Sequence, residues 1–582
     1  MPPSNGNPEP DERTSLLSKD VPEAIEPSLG DAITPGTDIN SSSSCSKGDD
    51  RDEERGEIED GGEGNHKVAQ KMYLLFPAVS IGVGTPIRHI LLSAADQTLV
   101  VSSYARMGSD LNALNNTSWI ATAYFLTLTG FQPLYGKLSD IFGRKQALLF
   151  AYIVFGIGCL LCGLARNLGE LVAARALQGA IMANTVAGIG GGGVTTVVSI
   201  LFSDIVPLRE RGSWQGYMNI VYAVGASGGA PLGGFLADSI GWRWAFLGQF
   251  PMCFVATMAV YFVLDLPRTD HSHWLEKIKR VDFLGAFSLV FAVFSLLIGL
   301  DRGSNVSWSD TVAIVCSCVS IPLFAVFIFI EMKVASHPFA PGHIIFERSL
   351  LPAYICNFFG IGAHMGLIFY IPLYFQAVEG MSATSAGLRL IPAMICSVSG
   401  SLFAGFYMQK TGHYYWLTVC SFALSVTGSV VVFLCSGILF KSGWAMVAGM
   451  GITALGAGSA VVATLISVLA NADPKDQAIA TACSYLFRSL GSVTGVSLAA
   501  TVVQQSLRTR LRASLKSGKE ADEIVDHVRQ SLDYIKKLEP QIRVLVRKCY
   551  QMATNSAFGM SIAFIICALI SSLYIREKKL SR

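Results

Sequence analysis

An aspartate stands in the middle of the apolar stretch LLSAADQTLV (residues 91–100), with Gln97 and Thr98 directly after Asp96. A second charge, Arg175 in ARALQG (174–179), interrupts another such stretch. If these segments lie in a membrane, each charge costs about 2.5–3.5 kcal/mol on insertion scales, so something must offset it. Embedded charges pair with each other or line a water-filled cavity, where a carboxylate can hold a proton or a cation. Asp96 and Arg175 are therefore the expected proton- and substrate-coupling groups. Gln97, Asn357, His364, Tyr374 and Arg488 are further polar side chains in apolar segments, while Tyr124 and Tyr222 offer rings on which a guanidinium could stack. These residues are expected to line a substrate cavity, with His364 also able to titrate in an acidic compartment. The competing reading is structural: Asp96 would anchor a hydrogen-bond network with Gln97, and His364 and the rings would simply pack.

Enzyme chemistry finds no support. No nucleophile–base pair is recognisable, and Cys159-x-x-Cys162 has no second pair, so these thiols read as small packing residues. The tetraglycine Gly190–Gly193 follows an apolar helix rather than a strand and lacks the Lys-Ser/Thr of a phosphate loop. The expectation is no catalytic activity, metal, cofactor or disulfide framework, and the net charge of +2 implies no nucleic-acid partner.

The elements that must position these groups are membrane spans. The chain is 51% hydrophobic and only 15% charged, against about 25% charged in soluble proteins. Fourteen apolar runs follow one another between residues 74 and 575, each near the length of about 20 residues that crosses a bilayer. An even count puts both termini on one side. Thirteen Lys and Arg residues fall in the loops of that side against five in the opposite short loops, which makes both termini cytosolic. The sequon residues Asn115, Asn116 and Asn305 fall on the outer side as glycosylation candidates.

Residues 1–70 form a polar, disordered tail. Its ERTSLL stretch places Glu12 ahead of Leu16 and Leu17, a pattern that resembles dileucine signals read by sorting adaptor complexes on the way to vacuoles or lysosomes. The long outer loop 504–555 carries Ile524, Val528, Leu532 and Ile535 at helical spacing, as an amphipathic helix would. In GKLSDIFGRK (136–145), Gly136 and Gly143 permit close packing, and Asp140 lies near Arg144 and Lys145. Such pairs, broken and remade, can latch two rigid-body states. GASGGAPLGG (225–234) supplies Gly225, Gly229, Gly233 and Gly234 for close helix approach and Pro231 for a kink.

These motifs carry a family resemblance. GKLSDIFGRK resembles the loop signature of the major facilitator superfamily, and ARALQG resembles its Arg-x-x-x-Gly motif in the fourth span. GASGGAPLGG is similar to its antiporter motif, and DQTLV (96–100) to the first-span Asp-x-Thr of its fourteen-span drug:proton antiporter branch. Within that branch, TSWIATAYFLTLTGFQPLYGKLSDIFGRK (117–145), SDIVPLRERGSWQGYMN (203–219) and GGAPLGGFLADSIGWRWAF (228–246) look most like fungal vacuolar basic amino acid transporters.

The resemblance implies an all-α integral membrane fold with two pseudo-symmetric six-helix halves and two extra helices. The N-terminal half would span 72–264, a cytosolic loop and the extra helices 265–331, and helices 9–13 residues 332–503. The lumenal loop 504–555, a last helix at 556–575 and a cytosolic tail at 576–582 would follow. Asp96 would face the central cavity. The implied function is proton-coupled antiport of lysine, arginine and histidine into the vacuole, with the bilayer, protons and a small cationic substrate as partners. A drug or siderophore exporter of the plasma membrane is the first alternative, and a non-transporting nutrient sensor the second.

Two departures stand out. The antiporter motif usually places Pro directly after Gly, but here Ala230 intervenes before Pro231. Residues 84–92 and 180–188 exceed the family pattern, either as true insertions or as non-coding sequence retained in the reading frame. Nine extra residues rotate a helix by about two and a half turns, which would misplace Asp96 or Arg175.

Overall fold

The computed structural model describes residues 84–128, 144–182, 224–225, 228–263, 283–334, 341–473, 476–515 and 519–578. The chain divides into two units, residues 1–71 and 72–582, and all described residues belong to the second. The sorting residues Glu12, Leu16 and Leu17 lie outside them, as do Gly136, Asp140, Gly143 and Tyr222.

In lipid, long apolar runs can satisfy their backbone groups only as helices or closed barrels. The described residues are helical, and one isolated bridge, Ser436–Lys441, is the sole extended pairing among them. In the first part of the chain the helices are α1 (Gly84–Asp110), α2 (118–128), α3 (Arg144–Leu164), α4 (Leu168–Met182) and α5 (228–238). They continue with α6 (Trp242–Leu247), α7 (Gln249–Val263), α8 (Phe283–Asn305) and α9 (Thr311–Phe329). The second part contains α10 (Leu351–Ala377), α11 (Ala383–Leu388), α12 (Ile391–Thr411), α13 (Tyr415–Cys435) and α14 (Gly443–Asn471). It ends with α15 (Gln477–Ser514), α16 (Lys519–Gln530), α17 (Leu532–Lys537) and α18 (Pro540–Ser572). Among the described residues nine helical segments, from Trp242–Phe262 to Pro540–Ser572, are long and apolar enough to cross a membrane. They coincide with the last nine of the fourteen expected runs. The earlier runs are described only in part or, at Leu149–Leu164, as a shorter apolar helix.

Local chemistry sets several helix ends. Asp310, Ser382 and Ser442 accept hydrogen bonds from Ala313 N, Ser385 N and Ala445 N, capping α9, α11 and α14. Gly412 ends α12 in the left-handed region at φ 71°.

One end of the bundle is tied by the segment after α18. Tyr414 donates to Arg576 O at 2.9 Å, and His413 lies 3.1 Å from Glu577. At the opposite end, where α1 finishes, α15 runs on to Ser514 and α18 already starts at Pro540. The irregular part of the 504–555 loop is therefore much shorter than its sequence suggests. The reason is amphipathic continuation: Leu507, Leu511 and Val546 stay buried while Arg510 and Arg512 face outward, so both helices persist beyond their apolar spans. Helices α16 and α17 cap this end through buried Val525, Val528 and Ile535. Arg106 pairs with Asp533 at 2.8 Å, and Leu532 N donates to Ser109 Oγ at 2.9 Å.

The same end joins the two parts of the chain. Asp238, at the end of α5, accepts from Thr384 N at 2.7 Å and Thr384 Oγ1 at 2.6 Å on α11. Gln376 on α10 donates to Ser102 O on α1 at 3.1 Å. Two glycosylation candidates are drawn into this packing. Asn305 Nδ2 donates to Asn116 Oδ1 at 2.8 Å, and Arg529 donates to Asn305 Oδ1 at 2.8 Å. A glycan on either amide would break this cluster, whereas Asn115 lines a neighbouring cleft beside Trp119 and Asp301.

Candidate functional site

Helix α1 carries Asp96 inward on a segment whose neighbours Leu99, Val100 and Val101 are likewise buried. Helix α4 brings Arg175 opposite, and its Nη1 lies 2.9 Å from Asp96 Oδ2. Neither side chain reaches solvent: Asp96 is 0% exposed and Arg175 1%. The Asp96 carboxylate is occupied by a counter-ion inside the first part of the bundle.

The pair is almost completely furnished with partners. Gln249 Nε2 donates to Asp96 Oδ1 at 3.2 Å, and Arg175 Nη1 also donates to Gln178 Oε1 at 2.6 Å. The Arg175 guanidinium lies 4.4 Å from the Tyr124 ring centre and 5.7 Å from that of Phe246. Desolvated rings stabilise a cation through their negative faces. Cys159 and Cys162, both fully buried, complete the shell: Gln178 Nε2 donates to Cys159 Sγ at 3.2 Å, and the Cys162 thiol reaches Gln178 Oε1 at 3.7 Å. Removing one partner of such a pair strands a buried charge, at a cost of about 3–5 kcal/mol.

Sequence reasoning missed Gln178 and Gln249. Gln178 was open to discovery, since it stands three residues after Arg175 and so on the same helix face. Gln249, 153 residues from Asp96, carried no such sign.

The glycines of the antiporter-like motif act at this same place. A methyl group at Gly229 would overlap Thr98 Oγ1 and Ala95 O, and one at Gly233 would overlap Leu99 O. These two glycines, one turn apart, let α5 press its backbone onto α1 on either side of Asp96. Gly234 approaches Ala383 of α11 as closely. Gly225 is helical and buried, and Pro231 is half-buried within α5.

The excess residues do not separate Asp96 from Arg175. Residues 84–92 precede Asp96 and residues 180–188 follow Arg175, so the register between the charges is set by the chain between them.

The other candidates divide. Asn357 and Arg488 meet: Arg488 Nε donates to Asn357 Oδ1 at 3.2 Å. His364 and Asn357 line a small cavity among α10, α13 and α14. Tyr374 does not line it. Its hydroxyl donates to Ser436 O at 2.9 Å, and its ring packs against Phe375 and Phe558, because a carbonyl at the end of α13 needs a donor there. The side chains of Gln97 and Arg144 lie outside the described residues, while Lys145 sits 5.7 Å from the Tyr261 ring centre.

Comparison with known proteins shows the family. The Major Facilitator Superfamily profile matches residues 90–496. The vacuolar membrane amino acid uptake transporter fnx2 of Schizosaccharomyces pombe is 38% identical over 87% of this chain and 84% of its own. The multidrug resistance protein fnx1 of the same organism is 36% identical, over 88% and 94% of the two chains. Vacuolar basic amino acid transporter 2 of Saccharomyces cerevisiae is 33% identical, over 78% and 98%. Among solved structures, a bacterial homologue of the human lysosomal transporter Spinster superposes with a TM-score of 0.58 at 15% identity, covering 86% of this chain and 98% of that one. At that identity the likeness speaks for the fold alone.

Proposed function

The chain belongs to the major facilitator superfamily, an integral membrane transporter rather than an enzyme, and on that premise we propose that it exchanges protons for basic amino acids across the vacuolar membrane. Its fourteen spans would leave both termini in the cytosol, with loading directed into the lumen. The observation that carries this reading is the buried Asp96–Arg175 pair. The Asp96 carboxylate can face Arg175, take up a proton or share itself with a cationic substrate, but these states exclude one another. A proton on Asp96 leaves Arg175 without a counter-charge in a low-dielectric interior, which favours rearrangement of α1 against α4. The relatives named for vacuolar amino acid transport support the substrate class and the compartment.

A second reading, drug export, has support in the similarity to a multidrug resistance protein. The deciding experiment is ATP-dependent uptake of labelled lysine and arginine into isolated vacuolar vesicles. Wild type, Asp96→Asn and an empty control are compared, each with and without collapse of the proton gradient. Uptake that needs both the gradient and Asp96 is the expected result. Full-length protein that reaches the vesicles without moving either amino acid would defeat the basic amino acid assignment.

A further inference from the structure

The two parts of the chain each bury an arginine against the helix that opens that part. In the first, Arg175 meets a carboxylate, Asp96. In the second, Arg488 of α15 meets only neutral acceptors among the described residues. Its Nε donates to Asn357 Oδ1 at 3.2 Å and its Nη2 to Val461 O at 2.7 Å, with the Tyr485 ring centre at 5.3 Å. Arg488 is 5% exposed, and its Nη1 has no hydrogen-bond partner among the described residues. Asn357 is held rigidly beneath it, donating to Ser484 Oγ at 2.9 Å and accepting from Thr464 Oγ1 at 3.0 Å.

A guanidinium keeps its charge in proteins, and an embedded cation without a counter-ion marks a place where an anion belongs. The paired Asp96–Arg175 unit needs none. The Arg488 unit has one unpartnered donor nitrogen, Nη1, and no acid from among the described residues to satisfy it. Asn357 and Val461, which position Arg488, also wall the small cavity that His364, Ser425 and Thr453 line. Its volume of about 20 Å³ admits a water molecule rather than an amino acid, so a larger guest requires α10 and α14 to part.

We propose that Arg488, positioned by Asn357, binds the carboxylate of the transported molecule, making the substrate class free α-amino acids rather than amines in general. This rests on the amino acid reading above and adds a second anchor to it. The cationic end of the substrate would compete at Asp96, and the carboxylate would supply the missing counter-charge at Arg488. Nη1 is the guanidinium nitrogen left to give a carboxylate oxygen a charge-assisted hydrogen bond.

The test uses the full-length protein in detergent or nanodiscs, with binding read from titrations that follow the shift in thermal stability. The probes are lysine, lysinamide and cadaverine, with alanine and alaninamide as a pair lacking the basic side chain. Wild type is expected to prefer lysine to lysinamide and cadaverine by roughly tenfold or more, the range of a charge-assisted hydrogen bond. Arg488→Gln should erase that preference. Asn357→Asp should erase it too while keeping the fold, because it gives Arg488 an internal carboxylate as Asp96 does for Arg175. If lysine fails but alanine is preferred to alaninamide in wild type and not in the variants, the carboxylate site stands and the basic amino acid assignment falls. If no carboxylate-bearing probe is preferred over its amide, or if either variant keeps the preference, the proposal is overturned.

Discussion

Asp96 and Arg175, 79 residues apart in the chain, meet at 2.9 Å with neither side chain open to solvent. That relationship makes stability and transport inseparable at this position, and it predicts which substitutions damage the protein and which compensate.

Asp96→Ala should destabilise the solubilised protein by about 3–5 kcal/mol, because Arg175 is left buried and unpaired. Adding Arg175→Leu in the same chain should recover most of that loss, since removing both charges together is close to neutral. Denaturation midpoints of the two single variants and the double variant measure the coupling. Additive losses would mean the pair is not the stabilising contact.

Gln249→Leu removes a hydrogen bond to an ionised carboxylate and should cost about 1.5–3 kcal/mol. The same titration series reads this. A neutral outcome would place Gln249 outside the Asp96 shell.

The contact between α5 and α1 is steric. Gly229→Val and Gly233→Val should each destabilise by about 1–3 kcal/mol or more, because the added atoms overlap the backbone of α1 beside Asp96. Gly228 meets nothing within 4 Å, so Gly228→Ala should fall within about 0.5 kcal/mol of wild type. Thermal unfolding of the three variants separates the packed face of α5 from its open one.

The cap at the far end carries a pH dependence. Partial burial pushes the Asp533 carboxyl up, but the Lys536 hydrogen bond and the Arg106 and Lys537 charges outweigh it and hold the group below the usual carboxylate value of 3.8. A lowered folded-state value means the stabilisation is present above 3.8 and is lost as pH falls through the lower folded-state value. The Arg106–Asp533 pair should therefore persist at mildly acidic pH. Hydrogen exchange of residues 519–537 should stay slow at pH 5 and rise only below about 3.8, and Asp533→Asn should remove that pH dependence. Faster exchange already at pH 5 in wild type would contradict it.

Much of the architecture was legible in one dimension. Apolar runs of span length announce helices because lipid offers backbone groups no other partner. The spacing of Arg175 and Gly179 marked the fourth span, and the glycines between 225 and 234 marked a helix that approaches its neighbours closely. Asp96 and Arg175 announced themselves because embedded charges are costly wherever they sit.

What those charges touch was decided by the tertiary structure. Hydropathy is a local quantity, whereas a contact depends on how each helix is rotated and which neighbour it meets. By its sequence alone Asp96 could have met any of several helices. Packing of α4 and α7 against α1 surrounded it with Arg175 and Gln249. Asn357, Tyr374 and Arg488 looked alike as polar residues in apolar segments. In the fold Tyr374 closes the end of α13, while Asn357 and Arg488 meet around an unfilled donor. The sequence determined which residues had to be reconciled with a membrane. Only the packing of helices distant in the chain decided that Arg175 was given its counter-charge and that Arg488 has none among the described residues.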